Sequence, residues 1–276
     1  MPPRKGSPAE LLLKKVHERY LSLETYESQG RLYTLRTYPD RKDEAESHFS
    51  VLFKRPNLFR LEIWIDSDRL TPFSSLLSDG NKVLGLQFLD KPRFTNYETL
   101  VQSLQVTTGI SFGISYNLPY HFLPELARAS VAAKLENPKF SQPVDVEDIE
   151  CKCIDGTTRD GRSVCLFIDQ DLGAFERIVS RSSNNEEDFE ETNRDIRKAN
   201  EYIKKHPEEM EELFPGAIEV MKQNPIDELV WDESKSCEIL EVEEYTDIRI
   251  DHNIPDERFH FEIPENADPF GVPGFC

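Results

Sequence analysis

Two periodicities divide the chain. Near the N-terminus Leu12, Val16, Tyr20 and Leu23 recur at three- and four-residue steps, while Lys14, Lys15, Glu18 and Arg19 fall on the other side, which predicts an amphipathic helix. Its start is written in Ser7-Pro8-Ala9-Glu10: a Ser N-cap, a proline at the first helical position, and a Glu three residues past the cap to close a capping box. From Ser28 to about Leu89 the period becomes two. Phe49, Val51 and Phe53 alternate with polar or smaller neighbours; after the Lys54-Arg55-Pro56-Asn57 break, Phe59, Leu61, Ile63 and Ile65 alternate with Arg60, Glu62, Trp64 and Asp66. Ser78-Asp79-Gly80-Asn81 supplies turn chemistry before a strand from Val83 to Leu89. Four consecutive strands joined by short connections predict an antiparallel meander with one apolar face.

Between Tyr97 and Leu135 the alternation disappears. Tyr97 to Gln105 and Leu123 to Leu135 read as helical pieces separated by a glycine-bearing loop from Gly109 to Pro119, and together they are candidates for a cover over the sheet. Strands resume at Ile149, turn through Asp155 to Gly161 into Val164 to Ile168, and continue with Phe175 to Val179. The stretch from Asn184 to Lys235 carries sixteen Asp/Glu against seven Lys/Arg. In it Phe189, Thr192, Ile196, Ala199 and Ile203 mark an amphipathic helix, and Pro207 and Pro215 break the remainder into shorter helices, the first opening with Glu208 and Glu209. This acidic segment reads as an insertion in a hairpin of a single domain spanning 1–276. Strands are expected again at Cys237 to Glu244, Tyr245 to Asp251 and Arg258 to Ile263, for about ten in all, before an irregular Pro- and Gly-bearing tail.

Charge narrows the partners. A formal net charge of −19 repels phosphate backbones, which argues against nucleic acid. No apolar run approaches the roughly 20 residues that a membrane-spanning helix needs, so a soluble chain without a transmembrane segment is expected. Met1-Pro2-Pro3-Arg4-Lys5-Gly6 leads into the first helix without an apolar h-region or a small-residue cleavage site. That predicts a cytoplasmic protein, or an exported one whose signal has been removed. The five cysteines include no CxxC pair and have no His close by in sequence, a poor zinc signature, and no metal or cofactor is expected. Cys153 and Cys165 flank a turn near Arg159 and could face each other across a hairpin as a disulfide or as buried thiols; the thiols are the simpler reading.

The order of elements resembles the LolA/LolB family of outer-membrane lipoprotein carriers. Phe53-Lys54-Arg55-Pro56-Asn57-Leu58-Phe59 is similar to the family's KRPN motif between two early strands, Ser78-Asp79-Gly80 to its next turn, and Phe259-His260-Phe261-Glu262-Ile263-Pro264 to its last strand and exit. The resemblance covers roughly 210 residues, leaving out the acidic insertion and the tail. It implies an α+β fold in which an antiparallel half-barrel, an incomplete β-barrel, carries an N-terminal helix and a helical lid over a cavity for acyl chains. It also implies a periplasmic carrier of lipid or acylated lipoprotein, here expected as a monomer. The motif's Arg corresponds to Arg55, for which the resemblance implies a gate role: hydrogen bonds from its five guanidinium donors to lid carbonyls would hold the empty cavity shut.

The lining of such a cavity is expected from Phe49, Val51, Phe53, Phe59, Leu61, Ile63 and Ile65. Each buried methylene contributes about 0.8 kcal/mol, so a contiguous apolar wall needs no directed chemistry to bind an acyl chain. Periodicity identifies the apolar face without deciding whether it lines a void or fills a closed core. Catalysis is not expected. The six histidines are scattered, no glycine-rich phosphate loop or GxSxG elbow occurs, and Asp251-His252, adjacent on a strand, would point to opposite faces. A second non-enzymatic reading is a lipid-sensing regulator or envelope interaction module with the acidic insertion as its docking surface.

Overall fold

The computed structural model describes residues 6–65, 71–88, 91–107, 111, 113–184, 186–208 and 236–269. Helix α1 (Pro8–Ser22) begins with the capping box expected from sequence: the Ser7 side chain accepts from Glu10 N at 3.2 Å, and Ser7 N donates to Glu10 Oε2 at 2.6 Å. Six strands come after it, β1 (Thr25–Thr37), β2 (Lys42–Lys54), β3 (Leu58–Trp64), β4 (Ser74–Asp79), β5 (Val83–Phe88) and β6 (Pro92–Tyr97). A helical segment is next, with α2 (Leu100–Val106), a 3-10 turn at Pro119–Phe122 and the short α3 (Pro124–Ala127). The chain then returns to strands β7 (Glu136–Phe140), β8 (Val144–Val146), β9 (Ile149–Thr157), β10 (Ser163–Asp169) and β11 (Ala174–Asn184). Helix α4 (Glu186–Lys205) precedes β12 (Cys237–Ile250) and the two-residue β13 (Asp268–Pro269).

These thirteen strands belong to one sheet, in the order β13-β6-β5-β4-β3-β2-β1-β12-β11-β10-β9-β7, with β8 beside β9. Strands adjacent in sequence pair antiparallel from β2 to β6, and β9, β10 and β11 do likewise, whereas β13 runs parallel to β6. The path has two ends, so the sheet is an open half-barrel of the α+β class expected from sequence. The chain forms two compact units. One comprises Met1–Leu35, Glu44–Ser182 and Leu240–Val272, and holds α1, the helical segment and most of the sheet. The other comprises Arg36–Asp43, Ser183–Ile239 and Pro273–Cys276; its described part includes α4, whose Lys205 and Glu201 make an i,i+4 ion pair at 3.5 Å.

The main core of the first unit lies on the inner face of the sheet. Tyr26, Phe49, Val51, Phe53, Phe59, Leu61, Ile63, Leu166, Phe175 and Tyr245 pack there against Val16 and Tyr20 of α1, Leu100 and Leu104 of α2, and Phe122. One glycine makes room for this packing. A Cβ on Gly30 of β1 would lie 2.3 Å from both Phe49 Cζ and the Glu244 carbonyl oxygen, so a bare backbone is what lets the Phe49 ring cross its neighbouring strand. The outer face has smaller clusters: Leu52 with Ile254 and Phe259, and Leu77, Leu84 and Leu86 with Phe94 and Phe261. The C-terminal segment therefore covers the back of β2 to β5, which explains why Leu76 and Leu77 are both buried although they point to opposite faces.

Three expectations need correction. Arg258 to Ile263 is no strand but a 3-10 turn at Asp256–Phe259 and then irregular chain. Its anchors are side chains, with Phe259 and Phe261 entering two different outer clusters, Arg258 forking onto Glu27 at 2.7 and 3.0 Å, and Lys54 Nζ donating to the Ile254 carbonyl at 2.9 Å. The two strands expected across Cys237 to Asp251 are the single β12, because the adjacent Glu243 and Glu244 at the expected break each find partners on opposite faces. Finally, Tyr97 ends β6 instead of starting a helix, and α2 begins only after Thr99, whose side chain accepts from Gln102 N at 3.0 Å. The short helices expected after Pro207 lie outside the described residues from 209 onwards, as does the tail from 270.

The Gly30 contact yields a stability test. Gly30→Ala forces either the Phe49 ring or the β12 backbone to move, and should lower unfolding free energy by about 1–3 kcal/mol, read as a reduced urea midpoint at unchanged m-value.

Candidate functional site

Six of the seven expected wall residues form a continuous patch. In the register of β2 and β3, Phe49 stands opposite Ile63, Val51 opposite Leu61 and Phe53 opposite Phe59, so three cross-strand pairs share the inner face. All six are at most 1% exposed. Ile65 lies one residue beyond the end of β3 and is 49% exposed, away from the core that holds the others.

What covers this patch is short helical chain. The Phe122 ring stacks on Phe53 with centroids 4.6 Å apart and planes 5° from parallel, and meets Tyr26 at 5.1 Å and Tyr20 at 5.9 Å. Beside it, Leu61, Ile63, Ser74, Ser75, Leu76, Thr107 and Ser111 line a recess of about 200 Å³ that includes the solvent at its mouth. Ligand pockets run to roughly 300–1,000 Å³, so the wall is filled by the protein's own aromatic side chains in this closed arrangement.

Arg55, at the end of the same strand as Phe53, binds four carbonyls. Its Nε donates to Leu23 O at 2.7 Å, and its Nη2 is 2.5 Å from Leu21 O, 3.4 Å from Tyr20 O and 3.3 Å from Phe122 O. Three of these belong to the last turn and C-cap of α1, where a helix leaves carbonyls unsatisfied and its dipole favours a cation. The fourth belongs to the 3-10 turn that carries Phe122. One guanidinium thus ties α1 and the helical segment to the end of β2.

A second polar tie escapes the alternation pattern. Glu243 of β12, 2% exposed, accepts hydrogen bonds from the Tyr245 hydroxyl at one oxygen and from Asn117 Nδ2 at the other. Burial pushes this carboxyl up to about 7 even though both bonds pull it down, and nearby Glu241 raises it further. Glu244, facing the opposite way, is instead ion-paired with Arg31 and with Arg177, the latter at 2.5 Å. The signal that could have found it is Val242-Glu243-Glu244-Tyr245 itself: two adjacent acids inside a strand must point to opposite faces, so one is forced inward.

His121, next to Phe122, is 1% exposed, and neither ring nitrogen has a hydrogen-bond partner. Burial first, and the neighbouring His17 second, push it down to about 3, so it is a neutral packing group against Tyr20 and Phe175 at neutral pH. Glu176, in β11 beside the bulge between Phe167 and Ile168 of β10, is raised to about 7 by burial, then by Asp169 and Glu147. Asp251 and His252 serve different partners, the first accepting from Glu24 N at 2.9 Å and the second meeting Glu27 at 2.9 Å. Cys153 and Cys165 are thiols; they stand opposite Phe167 and Asp155 in the β9–β10 register, so they are not directly paired residues. Among the described residues no group of three or more His, Cys, Asp or Glu could hold a metal ion, and no helix is long and apolar enough to cross a membrane.

No family model matches the chain, and no curated protein matches it in sequence. Solved structures similar to it include a LolA superfamily protein from Nitrosomonas europaea, with 13% identity and a TM-score of 0.29 over 93% of this chain and 99% of that one. An uncharacterized conserved protein from Thermus thermophilus has 9% identity and a TM-score of 0.43 over 96% and 99%, and LprF from Mycobacterium bovis has 8% and 0.39 over 95% and 98%. Likenesses this distant carry no argument about a ligand or a role. The architecture itself, read from the strand order, is an open, mainly antiparallel half-barrel with an N-terminal helix and a helical segment on its inner face.

Proposed function

We propose that this chain binds acyl chains of lipid or acylated lipoprotein, without catalysis, on the inner face made by Phe49, Val51, Phe53, Phe59, Leu61 and Ile63. The observation that carries the reading is the cover: a continuous apolar wall is closed by short helical pieces whose Phe122 lies flat on Phe53. In this reading Phe122 holds the place of an acyl chain, the helical segment from about 97 to 135 is a lid, and Arg55 is its gate.

Magnitudes support an exchange of lid for ligand. Ten methylenes moved from water onto the wall contribute about 8 kcal/mol. Against this stand hydrogen bonds to charged groups, each about 1.5–3 kcal/mol, and an aromatic stack of about 0.5–1.5 kcal/mol. The cover also gives up the burial of Leu118, Phe122, Leu123 and Leu126, each about 1.5–3 kcal/mol, so only a chain well beyond ten methylenes displaces it. The role that fits is a carrier in the bacterial cell envelope, with the periplasm as its compartment. We place the acidic stretch 184–235 as an insertion within the one domain; its sixteen acidic against seven basic residues favour a second reading as a docking surface for an envelope protein.

A fluorescent fatty-acid probe should bind and be displaced by phospholipid. Phe53→Asp and Leu61→Asp, made separately, each put a charge on the wall from a different strand and should weaken the probe at least tenfold. Equal affinity in folded variants would remove the site from this face.

For the gate, Arg55→Leu should speed hydrogen exchange in 113–127 as well as at the end of α1, and lipid should abolish the difference in 113–127. Arg55→Lys keeps the charge but loses the planar fork, and should fall between the two. Faster exchange confined to 20–24 would leave Arg55 as a cap of α1 and nothing more.

Replacing 184–235 by a short linker should leave the half-barrel folded and its probe affinity within twofold. Unfolding of that variant would make the segment part of the core.

A further inference from the structure

Glu243 is an acid on a face otherwise suited to hydrocarbon. It shares the inner face of β12 with Tyr245, whose ring meets Phe49 edge-on with centroids 5.7 Å apart, so the carboxyl borders the apolar wall. Its partner Asn117 belongs to the helical segment, five residues before Phe122. On neighbouring β1, the Tyr26 hydroxyl and Ser28 Oγ are also buried, with no partner beyond each other. The inner face therefore carries a small polar spot of one carboxyl and three hydroxyls, to which the cover adds the side-chain amide of Asn117 as a donor.

Moving the cover away takes this donor with it. Glu243 keeps the Tyr245 hydroxyl on one oxygen while the other loses its donor, and a buried acceptor oxygen without a donor is costly, more so in a carboxylate. A bare hydrocarbon or an ester offers no donor in return. An amide N–H or a hydroxyl attached next to the acyl chain does, and can take the place of the Asn117 side-chain amide, itself an N–H donor.

Resting on the acyl-chain reading, we propose that Glu243 is a specificity-determining residue that accepts a hydrogen bond from an N–H or O–H beside the ligand's acyl chain. The face consequently prefers acyl amides to esters of the same chain. Asn117 competes with the ligand for the same oxygen, so it sets the threshold for opening without setting the preference.

The matched pair N-methyloctadecanamide and methyl octadecanoate differs at one position, N–H against O, and each is titrated against the fluorescent fatty-acid probe. In the wild-type chain the amide should displace the probe at about tenfold lower concentration, as expected for one hydrogen bond to a charged or buried acceptor. Glu243→Gln keeps a carbonyl acceptor and should retain most of that ratio, whereas Glu243→Leu should bring it to about one with the ester's affinity kept. Asn117→Ala should tighten amide and ester alike and leave the ratio unchanged. A wild-type ratio near one, with both ligands displacing the probe, overturns the role of Glu243 while the acyl-chain reading stands. A preference that survives Glu243→Leu overturns it too. If the probe itself does not bind, the acyl-chain reading falls and this inference falls with it. If Glu243→Leu fails to fold, Glu243→Met, which removes the strong acceptor at similar length, takes its place and should likewise bring the ratio to about one.

Discussion

The guanidinium of Arg55 sits where three pieces of chain meet, the end of α1, the end of β2 and the turn that carries Phe122, and its hydrogen bonds join them. A helix that ends against a sheet leaves its last carbonyls without partners, and the end of α1 points them at Arg55. The same side chain reaches the carbonyl of Phe122. Because Arg55 lies two residues after Phe53, one strand end supplies both the clamp and the aromatic platform on which the cover rests. A lysine there would bring one compact charge; the planar fork addresses several carbonyls at once.

The apolar face is not uniform. Its wall of Phe, Leu, Ile and Val is interrupted by Glu243, Tyr245, Tyr26 and Ser28, and the cover brings the buried His121 and the half-buried Asn117. A core selected for stability alone has little use for an imidazole with both nitrogens unpaired or a carboxyl pushed up to about 7. The other half of the Glu243-Glu244 pair shows the ordinary solution, since Glu244 is neutralised by two arginines on the opposite face. Glu243, Asn117 and His121 thus lie where the helical segment meets the sheet, the boundary at which the protein is proposed to open.

Local signals are legible in the sequence wherever chemistry acts between near neighbours. The capping box at Ser7 and Glu10, the alternation through Phe49 to Ile63 and the turn at Ser78 to Asn81 all depend on residues a few positions apart. The acidic residues inside β12 and the Phe259-to-Pro264 motif mislead for one reason: their partners lie far along the chain. Glu243 is held by Asn117, 126 positions away, and Arg258 by Glu27, 231 away.

Backbone periodicity and capping are settled within a few residues, so the start of α1, the apolar face of β2 and β3 and the antiparallel character of the sheet can be read from the order of amino acids. Likeness to a carrier motif further points to Arg55 as a residue that binds carbonyls. Which carbonyls it binds, three from α1 and one from the cover, is a matter of three-dimensional packing. So is the return of β12 beside β1, the packing of the C-terminal segment on the back of the sheet without pairing as a strand there, and the occupation of the wall by Phe122. Those outcomes depend on which distant surfaces meet, and a pattern of hydrophobic positions says which side of a strand is buried but not what buries it.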